Sequence, residues 1–161
     1  MTIGEQALHE AFVEFTHLID KNFNFSPGIR ASGLFSYILT PKQQDRLKKL
    51  CKQEGWDVNQ SKGITITISN IKHVLKGRKK KDGLTTLECA QVLSSSYSKH
   101  SEIALNKGRH EQAFILNAKK SVPIKKSSHY CAVILQVSKD DLAQVTAYHT
   151  TWAKIKGITG R

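Results

Sequence analysis

Cysteine is sparse in this chain, and so are carboxylates in its most basic part. The three cysteines, Cys51, Cys89 and Cys131, are odd in number, about forty residues apart, and include no C-x-x-C pair. That spacing disfavours both a disulfide framework and a structural zinc site. No stretch approaches the roughly 20 apolar residues needed to cross a bilayer. The opening MTIGEQALHE lacks a basic region followed by an apolar run, so no secretory signal is expected here. The chain could still be one piece of a larger exported protein, whose signal would lie elsewhere. Walker-type loops, dinucleotide fingerprints, G-x-S-x-G and catalytic-cysteine signatures are missing too, which leaves nucleotide hydrolysis and hydride transfer without support.

What is present is positive charge on a chain of ordinary globular composition. The 161 residues are 39% hydrophobic and 24% charged, with Lys+Arg 25 against Asp+Glu 13 and a net charge of +12. Length and composition fit about one domain, and the charge points to a polyanionic partner. Residues 1–61 hold 7 basic and 7 acidic side chains, whereas residues 62–126 hold 14 and 4. The neutral first third shows that solubility alone does not demand the excess. The run Arg78-Lys79-Lys80-Lys81 could still be merely a solvated surface. Residues 1–61 read as an N-terminal helical region of the same domain, and residues 62–161 as a basic, sheet-forming region.

Leu8, Phe12, Phe15 and Ile19 predict an amphipathic helix from Glu5 to Asp20, followed by a loop at Ser26-Pro27-Gly28. Thr40-Pro41-Lys42-Gln43 has the form of a capping box, and the helix it opens should run to Glu54 and stop at Gly55. Ile64, Ile66 and Ile68 then alternate with polar residues as in a half-buried strand. A short helix over Ile71 to Lys76, a basic loop, and a helix capped by Thr85 and Glu88 should follow. Strands are expected at Glu102 to Lys107, Glu111 to Ala118, Tyr130 to Ser138 and Val145 to Thr150, with turns at Asn106 to Arg109 and Ser138 to Asp141. The order is α+β: N-terminal helices followed by a mainly antiparallel sheet.

With few carboxylates after residue 61, and none paired to hold Mg2+, a nuclease here is expected to use no metal and no cofactor. Histidine, cations and hydroxyls suffice to cleave RNA through its own 2′-OH. His73 and Lys76 share a helical face while Val74 and Leu75 can face the core; the plainer alternative is a solvated histidine beside a basic loop. On the last strand, Thr146, Tyr148 and Thr150 should project to one face, and Val145, Ala147 and His149 to the other. Tyr148 could stack on a base or be a boundary residue. His149 is a second candidate for proton work or a satisfied inward histidine. His110 follows the Lys107-Gly108-Arg109 turn and could meet the same phosphate, though a surface role is open as well. His9, His17, His100 and His129 carry no supporting pattern.

The Ile-rich strand, the Ile71-Lys72-His73-Val74-Leu75-Lys76 segment, the capped helix, the hairpin and the terminal Val145-Thr146-Ala147-Tyr148 together resemble the barnase/EndoU/colicin D/RelE superfamily, closest to its phage-associated and polymorphic-toxin branches. The resemblance spans about residues 64 to 156 and implies a sheet whose concave face cleaves RNA, commonly tRNA, without metal. It would give His73 with Lys76 or Arg78 the His/basic role, and Thr146 and Tyr148 the last-strand hydroxyl role. Many phage-type members carry a second histidine shortly after the first. Here that place reads Gly77-Arg78-Lys79, so Arg78 replaces it, or His110 or His149 supplies the proton.

The expectation is therefore a metal-independent endoribonuclease of toxin type, leaving a 2′,3′-cyclic phosphate. His73, Lys76, Arg78, Thr146, Tyr148 and His149 are the catalytic candidates, and Lys72, Lys79, Lys80, Lys107, Arg109 and His110 would hold RNA. An acidic immunity or antitoxin protein is the expected partner. Action in the cytoplasm of the producing or target cell is expected, with delivery on a secreted or phage protein as one route. The competing readings are a non-catalytic RNA-binding module and an interaction module of a phage or secreted particle.

Overall fold

The apolar stripe of the first segment does what its spacing predicts. Phe12, Thr16 and Ile19 form the buried side of α1 (Ile3–Asp20). The computed structural model describes residues 3–106, 112–138 and 141–159. Ser26 does not open a loop; its hydroxyl accepts from the Ile29 amide and caps the short α2 (Pro27–Ser32). β1 (Phe35–Ile38), which the alternation did not announce, precedes α3 (Pro41–Gln53). The Thr40/Gln43 capping box is present, and Gly55, at a φ of 72°, lies just past the helix. Gln43 does more than cap: its Nε2 donates to the carbonyls of Ser98 (2.9 Å) and Ser101 (3.0 Å), and its Oε1 accepts from the Tyr37 hydroxyl (2.8 Å). A buried amide thus joins the helical region to the segment before the sheet.

β2 (Gly63–Ile66) pairs antiparallel with β1, so the two sequence regions meet in one small sheet. Gly63 is required there, because a Cβ would stand 2.6 Å from the Tyr37 carbonyl oxygen. Gly63→Ala is expected to cost about 1–3 kcal/mol through the backbone shift it forces, read as a lowered urea midpoint with an unchanged m-value. β2 ends sooner than the isoleucine alternation suggests. Thr67 and Asn70 form a further capping box that starts α4 (Ile68–Val74) at Ile68.

The expected basic loop is helical instead. Leu75–Lys81 is a π-helix, closing with the Asp82 amide donating to the Gly77 carbonyl at 3.2 Å. Such wide turns are rare and frequently mark functional sites. α5 (Thr86–Ser95) follows, with the Thr85/Glu88 capping box as predicted.

The remaining strands form an antiparallel sheet: β3 (Glu102–Leu105), β4 (Ala113–Asn117), β5 (Val122–Ile124), β6 (Ser127–Val137) and β7 (Leu142–Thr150). Long β6 has β4 along one side and β7 along the other, and its first residues pair with β5. β5 and the closing α6 (Trp152–Thr159) were not expected from the sequence. Asn59 pins the β6–β7 turn by donating to the carbonyls of Ser138 (2.6 Å) and Asp141 (2.7 Å). The predicted Asn106 to Arg109 turn falls largely outside the described residues.

One face of the sheet, through Val133, Leu135 and Ala147, shares a core with Phe12, Ile71 and Leu93 of the helices. On the opposite face Ala104, Ile115, Ala132 and Ile134 pack with Tyr148 and with Ile158 of α6. No helix among the described residues is long and apolar enough to cross a membrane.

Candidate phosphodiester site

The apolar side of α4 and the π-helix sends Ile71, Val74 and Leu75 into the core. Lys72, His73, Lys76 and Lys80 are consequently exposed on the outer side. Lys79 faces elsewhere: its Nζ lies 2.6 Å from Asp20 Oδ2, which also accepts from the Thr86 hydroxyl at 2.9 Å. The hydrogen bond from Lys79 holds the Asp20 carboxyl below its ordinary value, despite partial burial. Lys79 is thus committed to joining the π-helix to the end of α1 and the start of α5.

Thr146 and Tyr148 do not join His73. They project from β7 toward α6, and the buried Tyr148 hydroxyl has no hydrogen-bond partner among the described residues. Burial pushes that phenol up. α4 packs into the core on the other side of the sheet, so His73 and Tyr148 do not share a surface. A register shift opposite Ile134/Leu135 leaves Val145 unpaired and turns it toward Tyr148, not toward His149 as simple alternation predicts. Lys107, Arg109 and His110 lie outside the described residues.

The structure instead gathers a different group around His149. His149 lies directly across the β6–β7 ladder from Cys131, and His129 lies two residues before Cys131 on the same face. The imidazole centroids are 5.0 Å apart with planes at 78°. Arg78 reaches this end of the sheet from the π-helix, its Nη1 bridging to Asp82 Oδ2 at 2.7 Å. Lys125, from the β5–β6 turn, donates its Nζ to the Asp82 carbonyl, and its own amide donates to Glu88 Oε2 at 2.8 Å. Asp82, Arg78 and Lys125 all lie close enough to act electrostatically on the His149 ring. The group thus sets two cations, Arg78 and Lys125, and two carboxylates, Asp82 and Glu88, near two histidines.

Burial, with His129 adding to it, holds the His149 imidazole below the ordinary histidine value. It is therefore uncharged at neutral pH. His129 Nδ1 donates to the Ser127 carbonyl at 3.2 Å, which leaves Nε2 for other partners. Two nitrogens in this group, His149 Nδ1 and Arg78 Nε, are buried without a hydrogen-bond partner among the described residues. Unsatisfied buried polar atoms are uncommon and call for an explanation such as a bound ligand. Cys131 is not a nucleophile here, since burial pushes its thiol up to about 12.

Of the sequence candidates, Arg78 and His149 are brought together, while His73, Lys72, Lys76 and Lys80 form a separate exposed row. His129, Asp82 and Lys125 were missed. Comparison of the chain with protein-family models, curated proteins and solved structures gives no match. Among the other histidines, His9 meets the Ser94 hydroxyl at 2.8 Å and His17 the Val13 carbonyl at 2.9 Å, both within the helical packing.

Proposed function

We propose that this chain is a metal-independent endoribonuclease of toxin type whose reactive groups are His149 and His129. The observation that carries the reading is the pair of edge-on imidazoles beside Arg78 and Lys125, with two buried nitrogens lacking partners. Uncharged His149 removes the proton of a ribose 2′-OH, and O2′ attacks the adjacent phosphorus. The P–O5′ bond breaks as His129 delivers a proton to O5′, leaving a 2′,3′-cyclic phosphate and a 5′-OH. Arg78 and Lys125 offset the charge that develops on the phosphoryl oxygens. Lys72, His73, Lys76 and Lys80 hold the RNA backbone away from the reacting centre. This moves the principal proton role from His73, where local spacing puts it, to His149.

A purely RNA-binding module is the second reading, and the solvated row of Lys72, His73 and Lys76 favours it. Incubation of the purified chain with total tRNA in EDTA separates the two. Fragments ending in cyclic phosphate are the expected result; a mobility shift without fragments would favour the binder. An acidic immunity or antitoxin protein belongs to the same proposal, because carboxylates would block this basic surface and speed the encounter with it.

A further inference from the structure

A cleft of about 610 Å³, lined by neither histidine of the pair, lies between the end of α1, the segment leading to α2, and α4. Its apolar lining includes Ile19, Phe23 and Phe25. Phe25 is buried, but Phe23 is 54% exposed and meets Phe25 edge-on at a centroid distance of 4.9 Å. The polar lining includes two cations, Arg30 and Lys72, and no carboxylate. Arg30 is held in place: its Nε donates to the Phe25 carbonyl at 3.1 Å, and its Nη2 donates to Asn24 Oδ1. A guanidinium has five donors, so others remain for a ligand. Asp20, the nearby acid at the end of α1, is taken up by Lys79 and Thr86.

An exposed aromatic ring beside two cations, with no acid among them, suits a ligand that joins a flat base to a phosphate. Lys72 also starts the exposed row that continues through His73 and Lys76 to the π-helix. Lys72 and Arg78 are six residues apart on the helical run that α4 and the π-helix form together. We infer that this cleft is a subsite for one nucleotide of single-stranded RNA, its base on Phe23 and its phosphate between Arg30 and Lys72. The inference rests on the ribonuclease reading for its choice of RNA and extends the bound strand from the histidine pair across α4.

The test uses a short labelled single-stranded RNA carrying 5-iodouridine, with affinity read by fluorescence anisotropy and contacts by photocrosslinking to the wild-type chain. Phe23→Ala and Lys72→Gln are each expected to weaken binding by about tenfold, the scale of one lost stack or contact. Crosslinks are expected on the peptide containing Phe23. Wild-type affinity in both variants, or crosslinks confined to the peptides of His129 and His149, would overturn the subsite. The two readings fail separately. Weakened binding in both variants without any RNA cleavage by the wild type would retain the cleft and reject the nuclease, and cleavage with an inert cleft would do the reverse. Because the crosslink is read on unaltered protein, a folding defect in either variant does not decide the outcome.

Discussion

His149→Ala should lower RNA cleavage by at least about 100-fold, the usual scale for a lost general base, while RNA affinity stays within a few-fold. The ring sits at the end of β7, half-buried beside His129, and contributes no core contact comparable to Val133 or Ala147. The pH profile supplies an independent check. A base works only when uncharged, and burial lowers the value for His149. Activity should therefore rise with pH along a limb whose midpoint lies below about 6.5, the ordinary histidine value. A midpoint above that value would contradict the assignment. His73→Ala is the informative companion. That residue is exposed on the outer side of α4, so its loss should affect binding more than turnover. A 100-fold loss at His73, with full activity in His149→Ala, would move the proton chemistry to the outer face of α4.

The largest effect on stability is expected from Phe12→Ala. Phe12 is fully buried, edge-on to Phe35 at 4.8 Å and stacked on Tyr97 at 5.5 Å. Removing it deletes contacts to β1 and to the segment after α5 together. Truncating a buried phenylalanine costs about 3–5 kcal/mol, enough to unfold a domain of ordinary stability in part. Urea unfolding should show a much lower midpoint, and Phe12→Leu should recover much of the loss. A shift below about 1 kcal/mol would mean that α1 docks without the energetics its burial implies.

Local signals in the sequence were reliable wherever the physics was local. The capping boxes at Thr40 and Thr85 and the apolar stripe of α1 each depend on neighbours within four residues, and each is present. The same box at Thr67 was hidden because Asn70, not Glu or Gln, closes it. β1 was hidden because only four residues pair there, and their partner is about thirty positions away. The candidate site was less legible for the same reason. His73 and Lys76 are visible as a pair because a helix makes them neighbours, whereas His129 and His149 become neighbours only through a strand ladder. Asp82 and Lys125 join them from two further segments. The tether from Lys79 to Asp20 is likewise a contact across 59 positions, so the basic run gave no sign that one of its lysines was already committed.

The irregularity in β7 works as a change of phase. From Leu142 to Gln144 the strand pairs in one register with Val137 to Leu135, and from Thr146 to Thr150 it pairs in another, displaced by one residue. Strict alternation from the buried Gln144 would send His149 to the α6 side and Tyr148 to the helical side. The unpaired Val145 reverses that parity and sets both histidines on one surface. The two halves of β7 therefore serve different ends. The first half is held by Tyr97, whose hydroxyl donates to Gln144 Oε1 at 2.6 Å, and by Asn70, which donates to the Gln144 carbonyl at 3.1 Å. The second half takes the opposite parity, so the count of residues between Gln144 and His149 decides which face carries His149 as much as their identity does.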